Sequence, residues 1–416
     1  MNLVKTSLLS GFATVIRIFI SFILNKILAV YVGPSGVALL GQFSNYSGML
    51  TTFANGGITS GVTKYIAEYI GDSDKQKKVV STSLSIAFYC SLLFGCLNYI
   101  FAKNVSIYLF NTAEYATIFK IFAISLVFTS LNSTLLSILN GYKQIKLFLS
   151  IGILNNFVGL AMTYILAVKY HIFGALLSVV LTQSIVCVTT LLIVRRLKWF
   201  NFLFLKTELD KVTVVNLSKY TLMALTSACV VPVSQIMVRN YLTEHLSLEE
   251  AGYWQAIWKI SEVYLMLITT SLSIYYLPRL SEIKDIDELK KEIFRGYQIL
   301  LPITIAMAFG IYLVREYIIF ILFTPTFLPM KELFLFQLIG DVLKTTSWLL
   351  GYLMLAKAMV RAFIISEIIF GFSFVVLAHY LVSQFGLVGV TYAHTLNYSM
   401  YLLLMLVIFY KNILKA

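Results

Sequence analysis

Eight ionisable side chains sit inside long apolar runs of this sequence: Arg17, Lys26, Lys120, Lys259, Glu262, Asp341, Lys344 and Glu367. Charge in such a setting is costly. It persists where it pairs with another charge or lines a wet pathway. Five of the eight are positive and three negative, so the interior they define is biased toward cations. Two pairs, Lys259 with Glu262 and Asp341 with Lys344, stand three residues apart, which puts each pair on one helix face. Mutual ion pairing and a shared place on the wall of a water-filled cavity are both open to them. Arg17 lies midway along its run with no acid within a helical turn. That favours a cavity position or a partner on another helix, with Glu367 as one choice. Lys26 follows nine residues later, half a rotation away at about 100° per residue, so the two cations point to opposite faces. Lys26 and Lys120 stand nearer the ends of their runs, where a lysine can snorkel to the interface. A cationic hollow suits an anionic ligand, and the planar donor fork of arginine suits phosphate in particular.

The elements that hold these groups follow from composition. The chain has 416 residues, 59% hydrophobic and 12% charged, with a mean hydropathy of +0.86. Soluble chains carry about 25% charged residues, so most of this surface faces something other than water. The net charge of +13 comes from 32 Lys and Arg against 19 Asp and Glu. These charges fall mostly between the apolar runs, a pattern of membrane orientation rather than of nucleic-acid binding.

A bilayer crossing needs about 20 apolar residues in a helix. Twelve stretches qualify: 8–31, 37–60, 79–101, 116–139, 147–168, 173–194, 216–240, 252–276, 296–314, 333–356, 362–381 and 386–409. They must be helical, because a lone strand leaves its backbone unpaired in lipid. With the N-terminus in the cytoplasm, inside segments hold 21 Lys and Arg and outside segments only five, Arg239 among the latter. The expectation is therefore an all-α membrane protein of twelve transmembrane helices, multi-pass, with both termini cytoplasmic. The first run, Leu8 to Val32, is too long for a signal-peptide core and carries Arg17 and Lys26, so it reads as the first span.

The chain looks doubled. Six stretches precede the basic segment 195–215 and six follow. Phe173-Gly174 opens the sixth and Phe385-Gly386 the twelfth, 212 residues later. We therefore expect a six-helix lobe over 1–200, a cytoplasmic interfacial linker over 201–215 and a second six-helix lobe over 216–416. A substrate path between such halves is the usual consequence. Aromatic residues beside Arg195, Arg196 and Lys198 suit the linker to the interface. Asp285 to Arg295 reads equally as a short extension of the eighth helix or as a charged loop.

Catalytic signatures are missing. The sequence contains no Walker-type phosphate loop, no H-E-x-x-H and no G-x-S-x-G. His171, His245, His379 and His394 are scattered, and the pair His379 and His394 reads as chance rather than as a metal site. Cys90, Cys96, Cys187 and Cys229 lie in apolar runs without metal or redox spacing. The 26 Tyr and 31 Phe belong mainly to packing and interfacial belts, with some free to stack on sugars or flank a prenyl chain.

Several segments resemble a known family. Leu338-Ile339-Gly340-Asp341-Val342-Leu343-Lys344, followed by Gly351-Tyr352-Leu353-Met354-Leu355-Ala356-Lys357-Ala358, resembles the tenth span of Wzx-type flippases of enterobacterial surface polysaccharides. Gly61 to Tyr69 is similar to their second-span exit, Ser218 to Leu225 to their seventh-span entry, and Tyr276 to Ser281 to their eighth-span exit. The likeness runs in order along essentially the whole chain. It implies a polysaccharide transporter of the multidrug/oligosaccharidyl-lipid/polysaccharide (MOP) exporter superfamily, with two six-helix lobes in a MATE-like V. It further implies an undecaprenyl-pyrophosphate-linked oligosaccharide as substrate, an O-antigen unit or lipid III of enterobacterial common antigen. That substrate would flip from the cytoplasmic to the periplasmic leaflet of the bacterial inner membrane by alternating access. The family's cavity charges carry over to Arg17, Lys26, Asp341 and Lys344, and its eighth-span acid to Glu262. Lys259 stands where the family has an uncharged polar residue.

Three functions remain distinguishable from sequence. A lipid-linked oligosaccharide flippase ranks first, and composition leans toward an O-antigen unit. A cation-coupled small-molecule or drug exporter would need a carboxylate, and Glu262, Asp341 and Glu367 are available. A membrane glycan polymerase or ligase would want a long outside loop, and the outside loops here are short. No cofactor is expected. A proton or sodium gradient, or the potential itself, would supply the drive, since outward anion movement gains roughly 2.3 kcal/mol per charge per 100 mV. Expected partners are the lipid-linked oligosaccharide and membrane lipid, with polymerase and chain-length regulator proteins as further candidates and no nucleic acid.

Overall fold

The apolar runs fold as long helices in the computed structural model, which describes residues 3–197, 200, 210–283, 285–357 and 359–409, with the side chains of 3–10, 219, 220, 223, 273, 274, 277 and 278 excepted. In chain order the helices are α1 (Leu3–Tyr31), α2 (Gly33–Ala54), α3 (Thr59–Glu68), α4 (Ser73–Ile100), α5 (Ala102–Phe110), α6 (Ala116–Gly141), α7 (Ile145–Val194), α8 (Lys211–His245), α9 (Leu248–Ser271), α10 (Leu277–Glu282), α11 (Ile286–Leu313), α12 (Arg315–Leu322), α13 (Phe334–Ala356), α14 (Val360–Phe385) and α15 (Gly389–Phe409). A π-helical turn, Leu272–Tyr276, joins α9 to α10, and 3-10 turns cover Pro325–Leu333 and Gly386–Val388. Seven helical runs among the described residues are long and apolar enough to cross a bilayer. Two of these, Ile145–Val194 and Val360–Phe409, are fifty residues long.

Local chemistry places the ends. Gly33 takes φ +65 and Pro34 follows in the first turn of α2, so the helix breaks between α1 and α2 at low cost. Asp72 accepts from the Lys75 amide to cap α4, and Ser247 accepts from the Glu250 amide to cap α9. Asp285 accepts from the amides of Asp287 and Glu288. That cap starts α11, so the acidic segment after residue 284 extends the helix of the ninth stretch, not of the eighth. The stretch expected over 37–60 also breaks. Gly56 and Gly57 both take positive φ, ending α2 before α3 begins. The segments expected outside, near 102–115 and 315–332, carry α5 and α12.

The doubling is present in the backbone, but at a different offset. His171 takes φ 47 and ψ −127 inside α7, and Gly386 takes φ 61 and ψ −148 between α14 and α15. Three residues beyond each kink a glycine presses on the carbonyl of a leucine eight residues back: Gly174 on Leu166 and Gly389 on Leu381. The equivalent residues are thus 215 apart (386 against 171), not 212. Phe173-Gly174 corresponds to Val388-Gly389. The starts of α2 and α9, and of α7 and α14, obey the same offset.

Two compact units result: Met1–Val32 with Gln42–Pro232, and Gly33–Gly41 with Val233–Ala416. In the first, small residues bring helices together, as expected where lipid removes the hydrophobic drive for helix association. Gly95 of α4 lies so close to α6 that a Cβ there would stand 2.8 Å from the Ala123 carbonyl. Ser130 donates to the carbonyls of Ala54 and Ala87, and Asn98 donates to that of Phe119. Val80, Ile66, Leu135 and Ile138 anchor its buried core. Cys187 is buried here and Cys96 exposed. Most of the linker expected over 201–215, residues 201–209, lies outside the described residues. In the second unit α13, α14 and α15 pack together, with α9 and α11 against α13.

Candidate functional site

The second unit gathers ionisable groups from five helices. Asp341 of α13 is 0% exposed. A carboxylate so placed must collect donors or become neutral, and four side chains supply them. Ser261 Oγ donates at 2.5 Å and the Tyr264 hydroxyl at 2.9 Å, both from α9. Gln337 Nε2, one turn earlier on α13, donates at 3.3 Å. His394 Nε2 of α15 lies 3.0 Å from the carboxylate. The other ring nitrogen, His394 Nδ1, is buried without a partner among the described residues.

Lys344 does not pair with Asp341, although their spacing permits it. No ion pair joins them. The Lys344 ammonium faces three rings instead: Trp258 and Trp348 at 4.9 Å each and Tyr398 at 5.4 Å. The rings hold the cation through their quadrupoles, while Asp341, Glu262 and Glu367 act on it through space. The reason is tertiary: α9 and α15 offer Asp341 better-aimed donors than its own helix does. Trp258 and Tyr398 also pack edge-on against the His394 ring, at 5.5 and 4.9 Å. They therefore connect the carboxylate–imidazole pair to the caged lysine.

Lys259 and Glu262 do pair, at 3.0 Å, with both side chains about half exposed. Glu262 also accepts from Trp258 Nε1 at 3.2 Å. Glu367, on α14, is half-buried and acts on Lys344. A seventh ionisable group comes from α8. Arg239, expected in an outside segment, is 2% exposed, donates to Gln255 Oε1 and stands over the Trp254 ring at 5.3 Å. Glu262 is its charge counterpart through space. The second unit thus balances Arg239, Lys259 and Lys344 against Glu262, Asp341 and Glu367.

The remaining expected residues lie in the first unit and are not joined to one another. Arg17 is exposed on α1 and makes no ion pair with the described residues of its unit. Lys26 is half-buried two and a half turns further along. Lys120 is exposed at the start of α6, 5.7 Å from the Tyr99 ring centre, a snorkelling position. No acid lies inside the expected spans of this unit, so the positive bias of the interior resides here rather than in the second unit.

Sequence reasoning missed Arg239, His394 and the ring set Trp258, Trp348 and Tyr398. A signal existed for one of them: Lys344 and Trp348 stand four residues apart on α13, a cation–aromatic spacing. Nothing in spacing linked His394 to Asp341. His379 is occupied elsewhere, with Nδ1 2.8 Å from the Val375 carbonyl and its ring against Tyr241. No group of three His, Cys, Asp or Glu among the described residues could hold a metal ion.

Residues 3–284 match the family described as polysaccharide biosynthesis protein. Over 404 residues the chain is 32% identical to the lipid III flippase of Escherichia coli (strain K12), covering 96% of each. Among solved structures it is similar to the lipid II flippase MurJ in an inward closed conformation, with a TM-score of 0.76, 16% identity and coverage of 97% of this chain and 87% of that one. It is equally similar in fold to an inward-facing multidrug resistance MATE family transporter of the MOP superfamily, with a TM-score of 0.76, 13% identity and coverage of 94% and 97%. A membrane chain with this fold and this full-length likeness belongs to the polysaccharide biosynthesis protein family, in the branch that holds the lipid III flippases.

Proposed function

We propose that the protein is a transporter, not an enzyme, that flips an undecaprenyl-pyrophosphate-linked oligosaccharide from the cytoplasmic to the periplasmic leaflet of the bacterial inner membrane. Membrane lipid is its medium, and both termini face the cytoplasm. Two lobes, 1–200 and 216–416, joined through 201–215, alternate access around the charged positions. The observation that carries this reading is likeness to a lipid III flippase along 96% of the chain.

The arrangement of charge supports it. Lys344 is held by rings rather than by a contacting carboxylate, so its ammonium can pass to a diphosphate without breaking an ion pair. Arg17 makes no ion pair with the described residues of its unit and offers a bidentate donor fork. Lys26 and Lys120 add positive field in the same unit, while Lys259, Glu262 and Glu367 tune the charge around Lys344. Asp341 with His394 is the ionisable pair best suited to couple flipping to a proton or sodium gradient. The potential alone is the other source of drive. Polymerase and chain-length regulator proteins are the partners a flipped repeat unit would next meet.

Reconstitution tests the reading. Vesicles holding the protein should translocate a defined undecaprenyl-pyrophosphate-linked oligosaccharide, faster with a potential set to draw anions outward. Arg17→Ala and Asp341→Ala should abolish surface polysaccharide in cells while the protein stays in the membrane. Normal polysaccharide in both variants would count decisively against it. The buried carboxylate and the MATE-like fold favour one second reading, a cation-coupled small-molecule exporter. Raised drug susceptibility of a deletion strain with normal polysaccharide would select it.

A further inference from the structure

A cavity of about 400 Å³ lies wholly within the first unit, between α2, α6 and α7. That volume falls within the range usual for small-ligand sites, about 300–1,000 Å³. Its polar lining consists of serine, threonine, asparagine and glutamine side chains, with no charged residue. Two amide oxygens that line it, Asn132 Oδ1 and Asn155 Oδ1, are buried without a hydrogen-bond partner among the described residues. Asn132 is only 3% exposed. Gln183 adds a third amide, and the rings of Phe43 and Phe122, edge-on at 5.5 Å, add an apolar surface.

The lining selects among ligands by elimination. A phosphate would meet no cation here, and an organic cation no anion. A prenyl chain would leave both amide oxygens unpaired, which buried polar groups avoid. A sugar residue answers every feature: its hydroxyls and any amide N–H donate to the two oxygens, and its C–H faces pack on the phenylalanine rings. Water fills the donor role when the cavity is empty.

We propose that this cavity is a subsite for one uncharged, amide-bearing sugar residue of the lipid-linked glycan, read separately from the diphosphate. The proposal rests on the flippase reading and adds to it a place for the sugar. The first unit would then recognise carbohydrate through neutral amides, and charge would be reserved for the lipid end.

Binding to the full chain in lipid nanodiscs, scored by native mass spectrometry, tests it. The probes are undecaprenyl pyrophosphate alone and undecaprenyl-pyrophosphate-linked N-acetylglucosamine. Asn132→Leu and Asn155→Leu should each weaken the sugar-bearing lipid about three- to tenfold, the effect of losing one hydrogen bond, and leave the bare lipid within about twofold. Asn155→Gln should recover part of the loss. Gln183→Leu, at a half-buried position, serves if Asn132→Leu does not fold. Equal loss for both lipids, or no change in either, overturns the subsite. Wild-type protein that binds the bare lipid as tightly as the sugar-bearing one overturns the subsite and leaves the flippase reading standing. Wild-type protein that binds neither lipid overturns the flippase reading first, and the subsite with it.

Discussion

His394 Nε2 lies 3.0 Å from the Asp341 carboxylate, and the two side chains are 1% and 0% exposed. A carboxyl so completely withdrawn from water is held by its donors, and removing it leaves Ser261, Tyr264, Gln337 and His394 without their buried acceptor, at about 1–3 kcal/mol for each group left unsatisfied. Asp341→Ala should therefore cost several kcal/mol of stability, seen as a large drop in melting temperature in detergent. Asp341→Asn keeps an acceptor for Ser261 and Tyr264 and should cost less. If the two variants melt alike, the charge on Asp341 contributes little.

Gly340→Ala approaches the same pair from the other side. A Cβ at residue 340 would collide with the His394 ring at Cδ2. Overpacking of this kind costs about 1–3 kcal/mol, and it should displace the imidazole from Asp341. Unchanged stability and transport would mean that α15 shifts freely, and that the His394 contact is not tightly positioned.

Lys344 is held by three rings, an interaction of about 0.5–2 kcal/mol. Lys344→Leu should therefore melt close to wild type yet abolish flipping. Lys344→Arg keeps the charge and should retain partial activity. A Lys344→Leu protein that flips normally in vesicles would remove this residue from the transport path.

Asp210 caps α8 at the end of the linker. Its carboxylate accepts from the Thr213 hydroxyl at 2.6 Å and the Thr213 amide at 2.9 Å, and pairs with Lys78 at 3.8 Å. Those Thr213 bonds, with Lys78 adding to them, hold the carboxyl below its ordinary range. A folded value below the unfolded one means the stabilisation is complete above about pH 4 and fades as pH falls through the folded value. Asp210→Ala should cost about 0.5–2 kcal/mol at neutral pH. The difference from wild type should shrink in acid melts, and a gap that stays constant down to pH 2 would contradict the cap.

His171 occupies backbone that glycine prefers, at φ 47 and ψ −127, while its structural counterpart is Gly386. Strain at such a position is of order 1–3 kcal/mol. His171→Gly should relieve it, at the loss of the 3.3 Å contact between His171 Nδ1 and the Tyr31 carbonyl. A net rise in melting temperature is expected. A fall would show that the tie to α1 outweighs the backbone cost.

Much of the architecture was legible in the sequence because bilayer thickness sets a length that hydropathy can be read against. The runs at 8–31, 79–101 and 116–139 fall on α1, α4 and α6 within a few residues at most ends. The same reading placed Lys259 beside Glu262, since three residues on a helix bring two side chains together whatever surrounds them. It could not tell where α2 would stop, because the left-handed turn at Gly56 and Gly57 sits inside an otherwise apolar run.

Sequence alone determined that this chain is helical and apolar, and that a handful of charges must be buried or wet. It also held the family likeness, carried most specifically by Gly340 to Lys344. Only the tertiary structure decided which buried charges meet. Asp341 turns to His394, fifty-three residues away, rather than to Lys344 on its own helix. Arg239 is drawn inside by Gln255 and Trp254. Periodicity encodes which face of a helix a residue occupies. The neighbour across that face is set by how helices pack, and it is there that buried charge finds the donors it needs.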